Sequence, residues 1–186
     1  MPLRPISVVT ALTALYFLPG LLFFYVAEGS DCDGEQCSKA TLIEAGEPGE
    51  SLIVTGTVFG PDGATPAAGI TLYAYHTDAA GLYSETNDNT DPRIKATLRT
   101  DTMGRYELHT IKPAPYPGGG VPAHIHYRLS GAGYTEQRFD LHFEDDPYLS
   151  RGMRERSAKL GRFGSIRPLA RDSGGGWRVV RDLRLR

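Results

Sequence analysis

The sequence predicts an all-β fold, an antiparallel β-sandwich with long loops and a short C-terminal helix. Three observations carry that prediction. Short segments in which apolar and polar residues alternate recur from Ser51 to the C-terminus, and in a strand such alternation sends one set of side chains to the core and the other to solvent. Gly, Pro and Asp clusters separate these segments, as turns between strands require. Only residues 148–160 read as a helix, after the stop at Asp146-Pro147.

Taken in order, the first element is not part of the sandwich. Residues 6–27 carry no charge, follow Arg4 and precede Glu28, Asp31, Asp33 and Glu35. This is a targeting segment, so 1–27 is expected to be a signal peptide or an N-terminal membrane anchor, interrupted by Pro19-Gly20. The flanking charges place everything from Glu28 onward outside the cytoplasm, whether periplasmic, secreted or membrane-anchored facing outward. Residues 28–50, rich in Gly, Glu and Ser, read as a tether. Its Cys32 and Cys37 are expected to form a small disulfide loop in an oxidising compartment, because a two-thiolate metal site would need two further ligands that the segment does not offer.

The working domain is then 51–186. Ser51 to Phe59 is β-branched and apolar and ends at Gly60-Pro61-Asp62-Gly63. Residues 70–75, 105–109, 123–129 and 137–143 alternate in the same way. After Ser173-Gly174-Gly175-Gly176, residues 177–185 put Trp177, Val179, Leu183 and Leu185 on one face and Arg178, Asp182 and Arg184 on the other, the pattern of a closing strand.

Composition bounds the function. With 20 basic against 22 acidic residues the chain has no basic excess of the kind that neutralises phosphates, so nucleic acid is not an expected partner. The charge is uneven, however: 28–150 holds 8 basic and 19 acidic residues, 151–186 holds 11 and 3. Internal complementarity explains such a split, and so would attraction of an anionic substrate or lipid to the basic end, or delivery of an arginine to the active site.

The densest chemical signal is Tyr116-Pro-Gly-Gly-Gly-Val-Pro-Ala-His124-Ile-His126. Histidines at i and i+2 of a strand share a face, so both imidazoles can reach one metal ion. The loop before them supplies Tyr116, and Gly81-Leu82-Tyr83 offers a second tyrosine. Two phenolates and two neutral imidazoles suit ferric iron better than zinc or copper, because a hard trivalent cation favours anionic oxygen and deprotonates the phenols that bind it. His76, His109 and His142 read as strand residues with ordinary partners. Tyr73, Tyr75, Tyr106 and Tyr127 read as core or pocket wall, and Gly118, Gly119 and Gly120 as a lip over the metal. No nucleophile-elbow serine and no phosphate-cradling glycine loop appears.

The motifs G-T-V-F-G-P-D-G-A-T-P-A-A-G-I-T-L-Y-A-Y, D-A-A-G-L-Y ending at Tyr83, D-T-M-G-R-Y-E-L-H-T-I-K-P-A-P-Y-P ending at Pro117, and P-A-H-I-H from Pro122 together resemble the intradiol ring-cleavage dioxygenases, such as protocatechuate and catechol dioxygenases. The resemblance implies an Fe(3+) cofactor held by Tyr83, Tyr116, His124 and His126. In it Tyr116 is the catalytic tyrosinate that dissociates when a catechol chelates the metal, and Tyr83 the one that stays. It implies a small aromatic diol and O2 as substrates, with the ring opened between the two hydroxylated carbons to a muconate-type product. Two substrate-binding positions depart from the family: Val121 stands where an arginine is usual and Asp140 where a glutamine is. Arg162 or Arg167 of the basic end is the expected replacement for the missing charge. Other readings stay open at this point: an iron- or catechol-binding protein on the same fold without turnover, or a structural β-sandwich module without metal. Membrane association through the N-terminal segment and homo-oligomerisation also stay open.

Overall fold

Leu52, Val54 and Val58 alternate with half-buried neighbours along the strand that runs Ser51–Phe59, and this alternation, repeated strand after strand, builds a core between two sheets. A computed structural model describes residues 37–131 and 133–186. The expected leader at 1–27 and Cys32 lie outside the described residues, and Cys37 is buried.

The strands are β1 (Lys39–Thr41), β2 (Ser51–Phe59), β3 (Thr71–His76), β4 (Ile94–Arg99), β5 (Arg105–Ile111), β6 (His124–Gly131) and β7 (Tyr134–Phe143). Helix α1 (Arg151–Lys159) and a 3-10 turn (Gly161–Phe163) follow, then β8 (Ile166–Arg167), β9 (Ala170–Arg171), β10 (Trp177–Val180) and β11 (Leu183–Arg184). One sheet has the order β1-β5-β2-β10-β9, with β11 also on β2, and the other has the order β4-β3-β6-β7-β8. Leu72 and Ala74 of β3, Ile125, Tyr127 and Leu129 of β6, and Leu141 and Phe143 of β7 face the first sheet and are buried. The residues between them, including Tyr73, Tyr75, His126, Arg128 and Asp140, therefore occupy the outer face of the second sheet.

The fold is the expected sandwich, but its sheets are mixed rather than wholly antiparallel. β1 runs parallel to β5, β8 to β7, and both β10 and β11 to β2. Part of the segment expected to be a tether is bound in as well: β1 pairs with β5, and Leu42 is buried behind it. The closing strand is broken in two at Arg181, which shares the inward parity of Val179, Leu183 and Leu185 and is 2% exposed. Helix α1 is capped by Ser150, whose Oγ accepts from the Met153 N–H, and Arg156 and Lys159 sit in its last turn, where they complement its dipole.

Candidate metal centre

β6 sets the first two groups. His124 and His126 both project from the outer face, and a main-chain or carboxylate oxygen fixes each ring. His124 Nδ1 lies 2.7 Å from the Pro122 carbonyl and His126 Nδ1 lies 2.8 Å from Asp140 Oδ1. Both oxygens can only accept, so both Nδ1 atoms carry the proton and both Nε2 lone pairs point into the site. Behind His124, Asp146 accepts the Ala123 and Tyr148 N–H groups, each at 2.8 Å, and pins the start of the strand.

Two loops bring the phenols. Asp78 organises the first, accepting from the Ala80 and Leu82 N–H groups through Oδ1. Gly81, at φ +83°, then lies so close to the second loop that a Cβ there would stand 2.1 Å from the Pro115 carbonyl oxygen. The Ala114 N–H donates to the Asp78 carbonyl at 3.1 Å and Thr77 Oγ1 to the Ala114 carbonyl at 2.8 Å, which ties the loops together. Tyr83 and Tyr116 are thereby aimed at one point.

The four donor atoms form a closed ring. Tyr83 Oη is 2.5 Å from Tyr116 Oη and 3.0 Å from His126 Nε2. Tyr116 Oη is 3.3 Å from His124 Nε2, and the two Nε2 atoms are 2.9 Å apart. Donors held about 2 Å from one small cation stand about 2.8 Å apart when they are at right angles. Two imidazole lone pairs facing each other at 2.9 Å also call for an electrophile. Two of the four donors are tyrosine oxygens. The residues present thus fit a hard cation such as Fe(III).

Electrostatics support the same arrangement. Burial, and then the Tyr116 hydroxyl, push the Tyr83 phenol well above its ordinary value, so without a cation the proton stays. Burial lowers His124 and keeps it neutral, as a ligand must be. Burial pushes Asp140 up, but the hydrogen bond from His126 and the field of the neighbouring imidazoles outweigh it, and the carboxyl ends below its ordinary value.

Of the residues singled out in the sequence, Tyr83, Tyr116, His124 and His126 come together. Asp140 stands beside them, its carboxylate accepting from His126 Nδ1. Val121 is 39% exposed on the loop before β6. Neither proposed replacement for its charge is directed at the cluster. Arg162 donates to the Gly63 carbonyl and stacks on Phe59, and Arg167 donates to the Val180 carbonyl. An arginine that the outer face does bring beside the cluster is Arg128, two residues beyond His126. Its guanidinium lies over Tyr73 and Tyr75, at 5.8 and 5.6 Å from their centroids, and its buried Nε has no partner. Tyr75 in turn stacks on His126 at 4.7 Å. Strand parity from His126 would have found Arg128. His142 departs from the expected satisfied strand residue: it stacks on His124 at 5.5 Å, and its buried Nδ1 has no partner.

A family model described as Dioxygenase matches residues 25–159. By sequence the chain is 31% identical over 143 residues to catechol 1,2-dioxygenase 2 of Acinetobacter lwoffii, covering 67% of this chain and 50% of that protein. Two solved structures share its fold. Catechol 1,2-dioxygenase from Acinetobacter sp. ADP1 has a TM-score of 0.63 at 26% identity, over 81% of this chain and 57% of that one. The dioxygenase domain of a dioxygenase carbohydrate-binding protein fusion from Streptomyces sp. SirexAA-E has a TM-score of 0.61 at 26% identity, over 83% of this chain and 90% of that one. The chain spans about half the length of the catechol 1,2-dioxygenases it matches by sequence.

Proposed function

Since the chain belongs to the intradiol ring-cleavage dioxygenase family, we propose that it is an exported ferric dioxygenase that opens a catechol-type ring between its two hydroxylated carbons. The observation that carries this reading is the convergence of two phenol oxygens and two imidazole Nε2 atoms within 2.5–3.3 Å of their neighbours in a ring. Tyr83, Tyr116, His124 and His126 would hold Fe(III), which when bound supplies Lewis acidity toward the diol and couples it to O2.

The chain's own residues do the rest. Asp140 and the Pro122 carbonyl hold the proton on each Nδ1, so that both Nε2 atoms stay available. Tyr83 is enclosed by Tyr75 and His126, with ring centroids at 6.0 and 6.3 Å, which supports its role as the phenol that would remain. Tyr116, on a loop that continues through Gly118, Gly119 and Gly120, each at positive φ, would be the one to yield. Its Oη, a phenolate when the metal is held, would be the base for one of the two substrate protons. Tyr75 stacks on the His126 ring at 4.7 Å and braces it.

The test is the visible spectrum of the purified, iron-loaded protein before and after anaerobic addition of catechol, followed by admission of O2. Expected are a tyrosinate charge-transfer band, its shift with catechol, and then one O2 consumed per ring-opened dicarboxylate formed. A folded protein that retains no iron would overturn the proposal. A catechol-induced shift without O2 uptake would favour binding without turnover, a reading to which the uncharged Val121 gives weight.

A further inference from the structure

We propose that a second site, on the cavity between β7, the turn after α1 and the C-terminal strands, binds a small oxyanion. The cavity has a volume of about 210 Å³ and is lined by Arg138, Arg181, Arg184 and Arg186, with Ser165 and Asp140. That is several times the volume of a water molecule and enough for a phosphate, a sulfate or a carboxylate group.

Arg181 is 2% exposed, yet all three hydrogen bonds of its guanidinium go to neutral main-chain carbonyls. Nε donates to Asp140 at 3.1 Å, and Nη1 to Phe163 at 2.9 Å and to Asp182 at 2.7 Å. Among the described residues no carboxylate lies within ion-pair distance of it. A buried charge is normally matched by an opposite one, because neutral acceptors only partly replace the water it has lost. Burial accordingly draws Arg181 below the ordinary arginine value.

The two acids whose main chains accept from it have their carboxylates engaged elsewhere. Asp182 accepts the Thr57 N–H at 3.0 Å, and Asp140 accepts from His126 Nδ1 at 2.8 Å. Arg184 and Arg186 form no ion pair among the described residues, and Arg138 reaches only Glu136, at 3.5 Å on the exposed surface. The Arg186 main chain is clamped by Gln137, which accepts its N–H at 3.0 Å and donates to its carbonyl at 3.2 Å, so the root of that side chain is fixed beside the cavity.

β7 adds main-chain polarity. His142 donates its N–H to the Ser165 carbonyl on the edge of β7 away from β6, and Asp140, two residues earlier, turns its carbonyl to Arg181 on that same edge. By strand parity the Asp140 N–H faces the cavity too, and β8 stops short of covering it, pairing only with His142 and Phe143. Guanidinium forks and a free N–H with no anionic acceptor match the planar or tetrahedral oxygens of carboxylate, sulfate and phosphate. The uneven charge of the chain points the same way. Among the described residues a single ion pair, Arg171–Glu50 at 2.8 Å, joins the basic 151–186 segment to the acidic one.

The site does not depend on catechol turnover, and its test is binding. Inorganic phosphate, sulfate and adipate are titrated calorimetrically, at constant ionic strength in chloride, into the full-length protein, the double variant R184A/R186A and the single variant R138A. The replaced side chains are exposed, so the variants should fold, which their melting curves check. Expected is saturable one-to-one binding of at least one anion, weakened tenfold or more in the double variant. A preference for phosphate or sulfate assigns the site to tetrahedral oxyanions, and a preference for adipate assigns it to carboxylates. No saturation by any of the three up to about 10 mM, or equal binding by the double variant, would overturn the proposal and leave Arg181 as a clasp between strands.

Discussion

One carboxylate decides how His126 presents itself. Asp140 accepts a hydrogen bond from Nδ1–H at 2.8 Å and leaves Nε2 bare, so Asp140→Ala should free the ring to rotate or change tautomer. Iron affinity should fall about 10- to 100-fold, the usual cost of losing such a partner, while Asp140→Asn, which keeps an acceptor, should lose less. Competition against a chelator reads both, and unchanged affinity in the alanine variant would remove Asp140 from the metal's support. His76 makes a prediction of the other kind. It is fully buried between the Thr77 carbonyl and Thr110 Oγ1, and burial lowers its pKa to about 4. Between that value and 6.5 the unfolded chain binds the proton more readily than the folded one. Stability is therefore complete above about pH 6.5 and lost toward pH 4, by on the order of 3 kcal/mol in full. His76→Gln should flatten urea-denaturation stability across that interval, and an unchanged slope would exclude His76 as its source. At this scale the sequence was informative where neighbours in the chain are neighbours in space. The i, i+2 histidines could be read directly, whereas the pairing of His124 with His142 depends on the register of β6 and β7, which no local pattern contains.

Among the elements, the loop that carries Tyr83 and the loop that carries Tyr116 meet at Gly81. With φ at +83° and a would-be Cβ 2.1 Å from the Pro115 oxygen, Gly81→Ala must push the loops apart. The strain should cost about 1–3 kcal/mol, and the displacement should fall on the phenol pair. A folded protein with a lowered melting temperature and no charge-transfer band is the expected result; an unaltered band would show that the loops close independently. The strands rich in alternating apolar residues, β2, β3, β5, β6 and β7, were legible. β1 was hidden in a polar stretch, because two of its three residues are exposed on a sheet edge. β4 is not legible, because only Ile94 and Leu98 are buried in it and so short a pattern follows a loop of Asn and Asp. The break at Arg181 is not legible either, because alternation alone assigns an apolar residue to that inward position.

For the molecule as a whole, the C-terminal end of the described chain closes one side of β2: β5 lies along one edge of that strand, and β10 and then β11 along the other. Parallel pairing between segments so far apart leaves no trace in local periodicity, which is why the sandwich was legible and its mixed sheets were not. Removing residues 177–186 would strip the buried Val179, Leu183 and Leu185 from the core and open one edge of a central strand. Such a truncation should lose cooperative thermal unfolding and aggregate; a soluble, cooperatively melting product would show that the C-terminal strands are accessory. The placement of the tyrosine and histidine cluster on the outside of β6 has a further consequence. Ile125, Tyr127 and Leu129 answer to the core, and His126 and Arg128 to whatever is bound. A lineage carrying this strand can therefore drift in chemistry at every second position while selection on folding holds the positions between.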